Sequence, residues 1–135
     1  MVPKFRAWDK EQLCWINIAT LNFDGEFWYL TPAMDDFNPV YYESELGETW
    51  ELMQSTGLKD KNGVEIFEGD VVKVSNHPFQ KKEDSAGIEI DGNYLINWSE
   101  HSLTWLAGDL LLYQLKPYIE VIGNIYENPE LLEVE

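Results

Sequence analysis

Nucleophilic catalysis needs a nucleophile, a base and a group that orients the base, gathered at one point. In this chain the nucleophile would be Cys14 or a serine, and the base would be His77 or His101. Cys14 lies in "LCWINI" beside Trp15, an apolar and aromatic run that favours a buried, inert thiol. His77 precedes Pro78 in a loop-like stretch and His101 lies in "WSEHSLTW", so both read as surface or structural side chains. A metal centre would need clustered ligands at set spacing. There is one cysteine and no His-x-x-x-His. "MDDFNP" offers Asp35, Asp36 and Asn38 but lacks the alternation and closing bidentate Glu of a calcium loop. "DKNG" and "EGD" lack the glycine run and Lys-Ser/Thr ending of a phosphate cradle. A pool of 25 acids always places some pair of carboxylates about 5–10 Å apart, so such a pair carries no information. The expectation is a non-enzyme with no catalytic residues, cofactor or metal.

Charge and aromatics point to binding instead. The 135 residues hold 25 acids against 9 bases, a formal charge of −16. From Asn17 to Leu58 there are eight acids and no Lys or Arg, and from Glu83 onward Lys116 is the only base among eleven acids. A surface this negative repels phosphate backbones, which disfavours direct DNA or RNA binding. Its plain use is solubility, and its sharper use is to mimic nucleic acid and occupy a basic partner. Trp8, Trp15, Trp28, Tyr29, Tyr41, Tyr42, Trp50, Trp98 and Trp105 either fill a thin β core or form an interface, where Trp and Tyr are enriched. Tyr41 and Tyr42, in an acidic stretch, are expected to be the least buried. With Asp35, Asp36, Glu43, Glu45 and Glu48 they are the candidate partner contacts.

The elements that must position these side chains are short strands. "KFRAWD" (Lys4 to Asp9) and "LCWINI" (Leu13 to Ile18) read as strands joined across Asp9 to Gln12. Asp24-Gly25, Asn62-Gly63 and Asp91-Gly92 each suggest a tight primed turn in a meander of antiparallel strands. In "STGLKDKNGVEIFEGDVVKV", Gly69 allows a bend, Asp70 can accept free amides there, and Val71 to Val74 continues as a strand. "AGDLLLYQLKP" fits a buried helical turn or a strand. "NPELLE" has the N-cap Asn and first-turn Pro of a short helix. The stretches from Thr31 to Gly47 and from Phe79 to Gly87 read as loop. No repeat, low-complexity tract or linker is evident, so the chain reads as one compact domain. No apolar run reaches the ~20 residues of a membrane span, and a lone cysteine suits a reducing, cytoplasmic setting.

Three blocks, "KFRAWDKE", "LMQSTGLKDKNGVEIFEGDVVKV" and "VIGNIYENPELL", resemble the YopX-like family of phage and prophage proteins. The resemblance implies a phage-encoded protein of unassigned activity inside a bacterial host, with itself as one partner in a homo-oligomer. It carries over no catalytic residue. The expected fold is mainly β: a small antiparallel barrel or bent sheet, with N-terminal strands over 1–58, an SH3-like portion over about 64–126 and a short C-terminal helix. The expected function is an accessory protein acting through self-association and binding of an unidentified protein, with an acidic nucleic-acid mimic as the alternative.

Overall fold

The computed structural model describes residues 4–23, 25–33, 40–78 and 90–132. The chain is mainly β, built of antiparallel strands with one short helical turn near its C-terminus, as the sequence leads one to expect. It divides between Gln54 and Ser55 into two compact units.

The first unit contains β1 (Phe5–Asp9), β2 (Cys14–Ile16), β3 (Ile18–Phe23), β4 (Trp28–Pro32), β5 (Tyr41–Tyr42) and the opening half of β6 (Trp50–Lys59). β1 is central, pairing Ala7 with Ile16 on β2 and with Leu52 on β6. β3, β4 and β5 form a second sheet in that order. The core is aromatic: Tyr41 and Trp50 are buried with Ala7, Ile16 and Leu30. Trp28 meets Trp50 edge-on at 5.7 Å, and Tyr41 lies 5.7 Å from the same indole. A buried indole N–H must find an acceptor, and Trp50 donates to the Tyr42 carbonyl at 2.9 Å.

Two local expectations change here. The hairpin around Gly25 exists, but Phe23 pairs with Trp28, so four residues span it and not a two-residue primed turn. The stretch read as loop contains strand and a 3-10 turn. β4 runs to Pro32, and β5 leads straight into a 3-10 turn over Glu43–Glu45. Residues 34–39 lie outside the described ones.

The second unit takes the closing half of β6, then β7 (Glu65–Phe67), β8 (Asp70–Val74), β9 (Gly92–Ser99), β10 (Thr104–Ala107), β11 (Leu110–Leu111), α1 (Leu112–Leu115) and β12 (Ile119–Asn124). Five strands form one sheet in the order β11-β10-β9-β8-β12. A bulge between Val121 and Gly123 adds local twist to its edge. The core is aliphatic: Ile66, Val72, Val74, Ile96, Ala107, Leu112 and Ile119 are its fully enclosed members. The ambiguous leucine run serves both readings. Leu110 and Leu111 pair as strand with Ala107 and Leu106, and Leu112 opens the helix.

The turns of this unit are built on buried short acids. Lys59 pairs with Glu65, the Asp60 amide donates to the Val64 carbonyl, and Gly63 sits at φ 82°. This is a three-residue hairpin loop with a left-handed glycine, one residue longer than the primed turn expected at Asn62-Gly63. The Asp60 carboxylate accepts the amides of Asn62, Val64 and Val121 at 2.8–2.9 Å. Asp70 accepts the Phe67 amide at 2.8 Å beside Gly69 at φ 85°, the role its position suggests. Asp91-Gly92 is no hairpin apex, because Gly92 pairs with Val74 and already belongs to β9. The Tyr94 hydroxyl donates to the Ile90 carbonyl at 2.6 Å. Burial, reinforced by the Asp91 carboxylate, raises that phenol above its usual 10.

The terminal helix is a single 3-10 turn, Pro129–Leu132. Asn128 does not cap it with its side chain. Its carbonyl accepts the Leu131 amide, and its Oδ1 turns back to the Asn124 amide at 3.4 Å. Asn93 holds the turn by donating to the Leu131 carbonyl at 3.0 Å.

Candidate functional site

Side chains alternate across a strand, and this separates the two adjacent tyrosines of β5. Tyr41 points inward, is 5 % exposed and donates its hydroxyl to Asp9 Oδ2 at 2.7 Å. The expectation that both rings stand open is therefore corrected for Tyr41. Tyr42 points outward at 54 % exposure, its ring 6.3 Å from that of Tyr29. Glu43, Glu45 and Glu48 follow it, all exposed. Their turn is held by the amides of Leu46 and Glu48, which donate to the carbonyls of Glu43 and Glu45. Glu45 also accepts the Thr49 hydroxyl at 3.0 Å. The result is an exposed phenol ring followed along the chain by three exposed glutamates, groups suited to amide and cationic partners. Asp35 and Asp36 lie outside the described residues.

The residues that could have done chemistry are dispersed. Cys14 stands opposite Asp9 on an edge strand and is half-buried, less enclosed than its apolar setting suggests. His101 is exposed in the β9–β10 turn. His77 packs edgewise on Tyr118, ring centres 4.8 Å apart. It stands at a cleft of about 440 Å³ walled by Pro78, Ile90, Leu110, Leu111, Leu115 and Gln114. Among the described residues no three His, Cys, Asp or Glu side chains are grouped to hold a metal ion. No described helix is long and apolar enough to cross a membrane.

One arrangement escapes a reading for periodic repeats. The β1–β2 hairpin carries "WDKEQLCW" and the β9–β10 hairpin carries "WSEHSLTW", the same Trp-x4-Leu-x-Trp spacing. Trp8 pairs with Trp15 and Trp98 with Trp105. Both indole pairs are edge-on, at 4.9 Å and 74° in the first and 5.2 Å and 69° in the second. The residue after each first tryptophan fastens the turn. Asp9 Oδ1 accepts the amides of Glu11 and Gln12, and Ser99 Oγ accepts that of Ser102. Leu13 and Leu103 both take left-handed backbone, φ 56° and 52°, and both are 70 % exposed. The same hairpin spacing thus occurs once in each unit, without a periodic repeat. The matching spacing was the available signal.

The hairpins differ in what covers them. The Arg6 guanidinium carbon lies 4.7 Å from the Trp15 ring centre, a cation–π distance. Trp98, 39 % exposed, pairs with the Trp105 ring and has no cation over it among the described residues. The segment from Gly92 to Ala107 contains no Lys or Arg.

The model of the family described as "YopX protein" matches residues 4–133. No curated protein matches the chain. A solved structure, the crystal structure of protein EF1440 from Enterococcus faecalis, is 33 % identical over 98 % of this chain and 99 % of that one, with a TM-score of 0.60.

Proposed function

Since this chain belongs to the YopX family, we propose that it is a phage- or prophage-encoded accessory protein of the bacterial cytoplasm that works by binding protein chains, copies of itself included, and not by catalysis. The observation that carries this reading is the open ring of Tyr42 with Glu43, Glu45 and Glu48 exposed beside it. An aromatic side chain set among charges and left out of the core spends apolar area on water, which a contact surface recovers on binding. The test is affinity capture from host lysate at low and high salt, with sedimentation of the purified chain alongside. The expected results are partner capture that survives high salt, capture lost in Tyr42→Ala, and a sedimenting species larger than one chain. Equal capture by wild type and Tyr42→Ala would overturn the surface assigned.

The three exposed glutamates favour a second reading, a nucleic-acid mimic that occupies a basic protein. It expects capture that falls steeply with salt and is lost when Glu43, Glu45 and Glu48 are all changed to Gln.

A further inference from the structure

We propose that the exposed ring of Trp98 is a docking site for an arginine side chain of a basic partner protein. This deepens the protein-binding reading by naming the chemistry of the partner. The first hairpin shows what its edge-on tryptophan pair accepts: Arg6 of the same chain lies over Trp15, which is 38 % exposed. The second hairpin repeats the pair, the turn and the left-handed leucine, yet Trp98 has no cation over it among the described residues. An indole face carries the negative side of the ring quadrupole, and a guanidinium, flat and weakly hydrated, is the cation that stacks on it best. From Ile90 to Leu132, Lys116 is the one Lys or Arg. Glu100 and the overall charge of −16 raise the local concentration of cations from outside. A second copy of this chain would bring one arginine, Arg6, which already lies over Trp15. Leu103, 70 % exposed at the tip, adds apolar surface for the methylene stem of the incoming side chain.

The experiment follows the tryptophan indole N–H signals of the full chain by NMR. The probes are a hexapeptide alternating glycine and arginine, and its counterpart with citrulline, which keeps the shape and removes the charge. The expected result is a shift of the Trp98 indole signal with the arginine peptide and none with the citrulline peptide. Trp98→Leu should weaken the arginine peptide about three- to fivefold, the worth of one exposed cation–π contact. Arg6→Ala should make the Trp15 signal respond as well, because it uncovers the first hairpin. An unmoved Trp98 signal would overturn the proposal, as would equal binding of the citrulline peptide or unchanged affinity in a folded Trp98→Leu variant. A Trp98 shift produced by raising the protein concentration alone would assign the face to a second copy and overturn it too. Tyr42→Ala should leave the shift of the Trp98 indole signal with the arginine peptide unchanged, so failure at the Tyr42 surface and failure here are separate outcomes.

Discussion

The two tryptophan hairpins use one local design for opposite burial. In the first, Trp8 on the leading strand is 5 % exposed and Trp15 on the returning strand is 38 % exposed. In the second the order reverses: leading Trp98 is the more open ring, and returning Trp105 packs against the aliphatic core. The cross-strand pairing and loop length are the same, with four residues between Asp9 and Cys14 and between Ser99 and Thr104. Local sequence therefore specifies the hairpin, and the rest of each unit decides which ring is enclosed. What remains outside is then free to differ. One hairpin carries its own guanidinium, and the other has no cation over its open ring among the described residues.

The largest expected effect tests which ring is structural. Trp8→Ala removes a buried indole and should cost about 4 kcal/mol in chemical denaturation. Trp105→Ala removes a half-buried one and should cost about half as much. Equal costs would break the contrast in burial. The turn acceptors come next. Asp9→Ala strands two backbone amides and the Tyr41 hydroxyl at a buried position, for a loss of about 2–3 kcal/mol. Ser99→Ala gives up one exposed bond, for about 0.5 kcal/mol. The smallest effects have the opposite sign. Leu13→Asn and Leu103→Asn each place a residue that tolerates left-handed backbone where leucine is strained. Each should raise the denaturation midpoint by the equivalent of about 0.5 kcal/mol.

Much of the fold is legible in the residues themselves. The strands around Trp8 and Trp15, the bend at Gly69-Asp70 and the run Val71 to Val74 follow from propensity and turn chemistry, which act over a few residues. What local chemistry does not carry is direction into a core. Tyr41 looks as open as Tyr42 until β5 pairs with β4 and sends alternate side chains to opposite faces. Asp91-Gly92 has the composition of a turn, yet the pairing of Gly92 with Val74 claims it for a strand. The hairpin shared by the two units hides because only Trp, Leu and Trp coincide, while the residues between them are mostly exposed turn residues free to differ. Of the site, the outward Tyr42 and its glutamates follow from composition. Trp98 follows only from setting one hairpin beside the other.

The carboxylate of Asp60 reaches an amide 61 positions downstream, at Val121. On the ribosome, that acceptor emerges long before its last donor, and β8 likewise waits for β12 to cover its free side. Closing so wide an interval is slow relative to forming a hairpin. The second unit should thus complete itself only once β12 has been made, whereas the β1–β2 hairpin can form as soon as it leaves the exit tunnel.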